Sequence, residues 1–260
     1  LSHRIIWSLI FTLGLIVLTS QAKGLMAIFS RPRTLATLLL SALLVSINWL
    51  TFIWAVNHDL ALEASMGYFI FPLVMVALGW LFLDERLNRN QLLALLLVLL
   101  GVLNLLLNQN RLPWVALLLA TSMGFYSLVR KTAPADPLVG LTIECMLLVP
   151  VALLYLLSLE SSGELVFGTI GIGFDLLLAG SALMTALPLI LYTSATRVLR
   201  LGTVGLLQYL SPSCQFLVAI FLFGEPFSQT QLATFLLIWA GLAVFTLDSR
   251  KGRRRKPAAK

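Results

Sequence analysis

The sequence predicts an all-α polytopic membrane protein built from two inverted five-helix repeats, and three observations carry that reading. First, 59% of the residues are hydrophobic and 11% charged, more apolar surface than a water-soluble domain of 260 residues can hide. Second, the apolar residues form nine near-continuous runs, each long enough to cross a hydrocarbon core about 30 Å thick. None shows the two-residue alternation of a membrane barrel, so backbone satisfaction in lipid requires helices. Third, Leu62–Leu107 returns 140 residues later without a gap: Pro72 aligns with Pro212, Glu85 with Glu225, Gln91 with Gln231 and Gly101 with Gly241.

The runs follow in order as His3–Ser20, Thr34–Val56, Leu62–Leu83, Asn90–Leu107, Pro113–Val129, Leu138–Ser158, Gly173–Ala195, Thr203–Phe223 and Gln229–Leu247. Turn formers separate them, as in Ser30–Arg33, Asn57–Asp59, Asp84–Asn90 and Ala133–Pro137. The longest link, Leu159 to Ile172, is rich in Gly and Ser and reads as an exposed loop.

Lysine and arginine set the orientation. Placing the tail after Asp248 in the cytoplasm puts sixteen basic residues on that side, including Lys23, Arg31, Arg33, Arg86, Arg89, Arg130, Lys131, Arg197 and Arg200 in loops. Arg4 and Arg111 alone fall opposite. The tail is a short basic run after an apolar helix, which is juxtamembrane anchoring rather than a nucleic-acid face.

Residues 113–247 hold five runs, an odd number, so two such units in series lie upside down relative to each other. The domains are then 1–107, 113–247 and a basic tail at 248–260. A shift of 140 leaves Pro113–Val129 without a counterpart, so about 28 further residues and a tenth helix are expected before Leu1, with both ends cytoplasmic.

This pattern resembles the drug/metabolite transporter superfamily and its EamA-type repeat, most narrowly the RarD branch. The resemblance rests on His3-Arg4 with Trp7-Ser8, Asn48-Trp49, Trp54–Asn57, Leu62–Ser65 and Gly67–Ile70 in the first half. In the second half it rests on Pro188-Leu189, Gln208–Pro212 and Phe223–Phe227. It implies a secondary transporter in a bacterial inner membrane that exports or exchanges a small organic metabolite or drug by alternating access. The branch usually carries Asn where this chain has Phe71, and often a polar residue where it has Met75, so a polar contact in the cavity is absent.

Polar groups within apolar helices are the site candidates. Tyr68 and Gln208 are equivalent under the shift, as are Phe69 and Tyr209, and equivalent positions of inverted repeats meet near the axis where substrate is held. Tyr68, Gln208 and Tyr209 are therefore cavity residues, unless each phenol merely packs and finds a backbone carbonyl. Asn48 and Trp54 join them, although an intramembrane Asn also ties helices together. Arg4, Glu144 and Glu63 are the charge-coupling candidates. Arg4 could equally snorkel, and Glu63 suits a helix N-terminus first. Pro72 and Pro212 bend their helices, as gates or as static kinks.

Several classes are excluded. No Walker loop, G-x-S-x-G elbow or H-E-x-x-H occurs, so neither ATP hydrolysis nor a familiar hydrolase is encoded. Cys145 and Cys214 read as buried small hydrophobes, and no cofactor or metal is expected. The expected partners are a small-molecule solute and the lipid bilayer, with a homodimer as a candidate assembly and no nucleic acid. A non-transporting receptor or assembly scaffold is the alternative.

Overall fold

The structure, a computed structural model, describes residues 1–107, 112–163, 167–222 and 229–254. Arg111, Glu164, Glu225 and the end of the basic tail lie outside the described residues. The helices are α1 Ser2–Leu18, α2 Ala22–Phe29, α3 Pro32–Asn57, α4 Ala61–Leu83, α5 Arg89–Leu107, α6 Trp114–Thr132, α7 Pro137–Ser162, α8 Ile172–Val198, α9 Leu201–Gln208, α10 Leu210–Phe221 and α11 Gln229–Arg254. All nine apolar runs are helical, the eighth as α9 and α10. By length and apolarity alone, α3, α7, α8 and the stretches Glu63–Leu83 and Gln229–Asp248 are each sufficient to span a membrane. The protein is an all-α polytopic membrane protein.

Three departures from the expected boundaries have local causes. Reading Lys23–Arg33 as a loop overlooks α2, which turns 118° from α1 after Ser20 adopts a positive φ of 57°. Its Leu25 and Ile28 are buried while Met26 and Phe29 are exposed, the two-sided character of a helix lying along a surface. The link after α7 is shorter than expected, because that helix runs on to Ser162 and closes on Gly163 in the left-handed region, φ 73°. The break between α9 and α10 lies three residues before Pro212, which has no N–H for the Gln208 carbonyl and crowds it. Tyr209 N instead bonds Leu206 O at 3.2 Å. Pro72, at the equivalent place, leaves α4 as one helix.

Two compact units are formed, Leu1–Leu50 with Phe125–Leu199, and Thr51–Gly124 with Arg200–Lys260. They interleave the sequence repeats, since each takes helices from both. In the first unit α1 packs on α7 and α8, over a core that includes Ile16, Leu38, Val139 and Ile143. In the second, α4 packs on α9 and α5 on α11.

These partners are copies of each other. The shift of 140 carries α5 onto α11, and α4 onto α9 and α10. Along the α5–α11 contact, Asn88 and Asn90 donate to Asp248 at 2.5 and 2.7 Å, and Asn104 donates to Thr230 O and Thr234 Oγ1 at 3.2 and 3.1 Å. Rising numbers on one helix meet falling numbers on the other, so the copies run antiparallel, as inverted repeats must. The glycines share this symmetry. A Cβ on Gly101 would meet Thr234 O at 3.0 Å and Ile238 at 3.4 Å. A Cβ on Gly241 would meet their counterparts, Ala94 O and Val98, each at 2.8 Å. Close approach of two apolar helices needs small residues at the crossing, which explains both glycines. In the α4–α9 contact the Tyr209 hydroxyl donates to Phe69 O at 2.7 Å. Residues 140 apart touch there, which places both on the local pseudo-two-fold axis.

Gly241→Leu is expected to lower stability by about 1–3 kcal/mol through overpacking. Gly14→Leu, at an exposed position where an added Cβ would meet nothing within 4 Å, is expected to leave stability within about 0.5 kcal/mol. Unfolding of the purified variants in mixed micelles compares the two.

Candidate functional site

Asp136 starts α7 by accepting from Leu138 N at 3.0 Å, with Pro137 at the first helical position. Two turns further on, Glu144 is 1% exposed. Three side chains from two other helices converge on its carboxylate. The Ser41 hydroxyl of α3 lies 2.5 Å from Oε1, closer than its 2.9 Å to the Leu38 carbonyl. Tyr126 of α6 donates to Oε2 at 3.3 Å. Arg130, one turn beyond Tyr126 and also 1% exposed, places Nε 3.4 Å from Oε1.

The guanidinium lies along one face of the first turns of α7. Its Nη2 donates to Pro137 O at 3.0 Å, and a Cβ at position 140 would overlap it. Only glycine at 140, one turn before Glu144, leaves that path open. Beside the carboxylate is a cavity of about 10 Å³ lined by residues including Ser8, Trp49, Thr185 and Cys145, room for roughly one water. The buried Ser8 hydroxyl has no hydrogen-bond partner among the described residues. An ion pair taken this far from water costs several kcal/mol of desolvation per ion before attraction returns it. Such groups in membrane helices mark functional sites by default.

The other predicted residues have distinct surroundings. Glu63 accepts from Val115 N at 2.8 Å, so it caps the start of α6 as well as opening α4. Arg4, the repeat counterpart of Glu144, is half-buried on α1; the cation beside Glu144 is Arg130. Tyr209 is buried with its hydroxyl on the Phe69 carbonyl. Tyr68 is 47% exposed and meets Phe52 edge-on at 6.4 Å. Gln208 ends α9 half-buried, and Asn48 is half-buried on α3. Trp54 stacks on His58 at 4.4 Å and tilts against Trp114 at 5.4 Å, an aromatic group of the kind found at membrane interfaces. Pro72 and Pro212 lie in α4 and α10, and Phe71 and Met75 are both buried.

Sequence reasoning missed Ser41, Tyr126 and Arg130. The last was counted as a loop cation, whereas it lies within α6 and points into the protein. A carboxylate two turns inside an apolar helix demands a cation, and that demand was the available signal.

Comparison with known proteins agrees with this fold. A model of the EamA-like transporter family matches residues 1–107. Protein RarD of Escherichia coli (strain K12) is 42% identical over 255 residues, covering 98% of this chain and 86% of that one. An uncharacterized transporter, YojE of Bacillus subtilis, is 42% identical over 260 residues, with coverage of 98% and 86%. A chloramphenicol-sensitive protein RarD of Pseudomonas aeruginosa is 34% identical over 261 residues, with the same coverage. A solved crystal structure superposes with a TM-score of 0.65 at 18% identity over 96% of this chain and 89% of the other, a likeness of fold alone. Helices, repeats and relatives together define a multi-pass bacterial membrane transporter. The chain belongs to the RarD-type branch of the EamA family in the drug/metabolite transporter superfamily.

Removing one member of the ion pair leaves the other charge buried alone. Glu144→Leu or Arg130→Met is therefore expected to cost about 3–5 kcal/mol. The double variant is expected to cost less than either single one, and a double-mutant cycle on micellar unfolding measures the coupling.

Proposed function

We propose that the chain is a secondary transporter of a small organic solute, working by alternating access of its two inverted repeats, with Glu144 as the charge-coupling residue. The observation that carries this reading is the buried pair of Glu144 and Arg130, tied to Ser41 and Tyr126. A proton on Glu144 would cancel the attraction for Arg130 and leave the guanidinium facing an uncharged acid. The helices it joins, α3, α6 and α7, would then gain a second arrangement of similar energy, which a coupled carrier requires.

Tyr68, Gln208, Asn48 and Trp54 are assigned to solute contact, their half-buried or exposed placement leaving surface for it. Tyr209 holds the local symmetry axis, and Pro72 and Pro212 supply bending points. Arg4 and Glu63 are assigned anchoring and capping. A cytoplasmic C-terminus is supported by the basic-residue asymmetry, and export across a bacterial inner membrane is what the resemblance to the superfamily implies. The name of the Pseudomonas relative suggests an aromatic amide drug such as chloramphenicol as the first solute to try.

The test uses proteoliposomes under an imposed pH gradient, with chloramphenicol and a panel of amino-acid-sized metabolites. Wild-type protein is expected to accumulate at least one of them. Glu144→Gln is expected to lose gradient-driven accumulation by about tenfold or more, about 1.4 kcal/mol, while keeping solute exchange without a gradient. Flux equal to empty liposomes for every solute removes the transport reading; gradient-driven accumulation unchanged in Glu144→Gln removes the coupling role.

A further inference from the structure

Pairing each helix with its own repeat copy has a geometric cost in the second unit. With α4 drawn onto α9 and α5 onto α11, the two consecutive helices part and leave an open cleft of about 620 Å³ between them. Leu73 and Val76 of α4 line one wall, and Leu92, Leu95 and Leu99 of α5 line the other. These walls are aliphatic over about two turns of each helix, and water has nothing to bond there. At the end where α4 turns into α5 the lining changes character. Trp80, 61% exposed, and Arg86 complete it, an amphipathic indole and a cation at the level where headgroups sit.

Arg86 is the charged member of the lining, and among the described residues it has no acidic partner. Two nearby carboxylates are engaged elsewhere. Glu85 accepts from Leu201 N and Gly202 N at 2.7 and 3.0 Å, and Asp248 is held by Asn88 and Asn90. Asp84 is exposed in the left-handed cap of α4 and does not line the cleft.

We propose that the α4–α5 cleft binds an anionic phospholipid, with one acyl chain along the aliphatic walls and the phosphate on Arg86. Charge complementarity selects the headgroup, because a zwitterionic lipid brings its own cation to the same place. A soluble anion satisfies Arg86 but leaves the aliphatic walls uncovered, so the two halves of the cleft are matched together by a lipid. Basic pockets between membrane helices recognise such headgroups through this combination.

The experiment measures lipid retention by native mass spectrometry on the detergent-purified full chain, with phosphatidylglycerol and phosphatidylcholine offered in equal amounts. Wild-type protein is expected to retain phosphatidylglycerol about fivefold over phosphatidylcholine, as a single near-surface arginine would give. Arg86→Gln, an exposed-site change, is expected to bring that ratio to about one. Ala77→Trp, which fills the cleft, is expected to reduce retention of both lipids while the circular dichroism of the helices stays unchanged. Equal retention of the two lipids by wild-type protein overturns the proposal, as does an unchanged ratio in Arg86→Gln. Displacement of phosphatidylglycerol by millimolar inorganic phosphate also overturns it, since the site would then be an anion site and not a lipid site.

Discussion

Hydrocarbon offers no hydrogen-bond partner, and that constraint decides where nearly every charged side chain of this chain goes. Helix ends carry amides and carbonyls with no intrahelical partner, and charged residues are spent on them. Glu63 takes the Val115 amide at the start of α6. Glu85 takes the Leu201 and Gly202 amides at the start of α9. Lys131 donates to the Thr196 and Leu199 carbonyls at the end of α8, and Arg197 to the Ala135 carbonyl. The signs of Glu63, Glu85 and Lys131 suit the dipole ends they meet, while Arg197 ties down the turn between α6 and α7. Glu144 is different, since its carboxylate is 1% exposed and is met by the side chains of Ser41, Tyr126 and Arg130 instead of by helix-end amides. Burial together with a cation partner is what separates this acid from the other described ones.

The repeat sets the second level of organisation. Because α5 and α11 cross at equivalent glycines, the close approach at that crossing is made twice by one short motif, and α4 and α9 meet where Phe69 touches Tyr209. The economy extends to single hydrogen bonds in the first unit. Ser41 and Ser181 are equivalent, and each bonds the carbonyl three residues back, Leu38 and Leu178. Such bonds satisfy a hydroxyl within its own helix, so a serine can be buried in either copy at little cost.

Much of this was legible in the residues. Nine apolar runs forecast the helices to within a few positions, because the length needed to cross lipid leaves little freedom. The 140-residue register gave the inverted relation of the repeats and the equivalence of positions 69 and 209, though not the bond of the Tyr209 phenol to the Phe69 carbonyl. Less visible was anything that depends on the partner of a side chain. Arg130 and Lys131 are adjacent and chemically alike, yet one turns inward to Glu144 and the other caps α8, a choice set by helix rotation and by the bare surface of Gly140. The short helix α2 was hidden because eight residues are too few for a periodic signal. Pro72 and Pro212 read alike as bending points, and nothing in the residues tells that the helix breaks three residues before Pro212 while α4 runs on through Pro72.

The repeat also shows where the two halves stop being equivalent. Under the shift, the buried Glu144 corresponds to the half-buried Arg4, although the equivalent serines 41 and 181 make the same bond within their helices. A protein that only needed two matched halves to pack would have no reason to place an acid in one and a base in the other, since burying the acid commits Arg130, Tyr126, Ser41 and the glycine at 140 to its support. Those four residues come from three helices, so a change of charge at one carboxylate is felt by α3, α6 and α7 together. A two-state carrier needs an element whose two arrangements differ in their response to a ligand or proton. In the transport cycle proposed above, the asymmetric acid of the first unit takes that part, and not the symmetric scaffold around it.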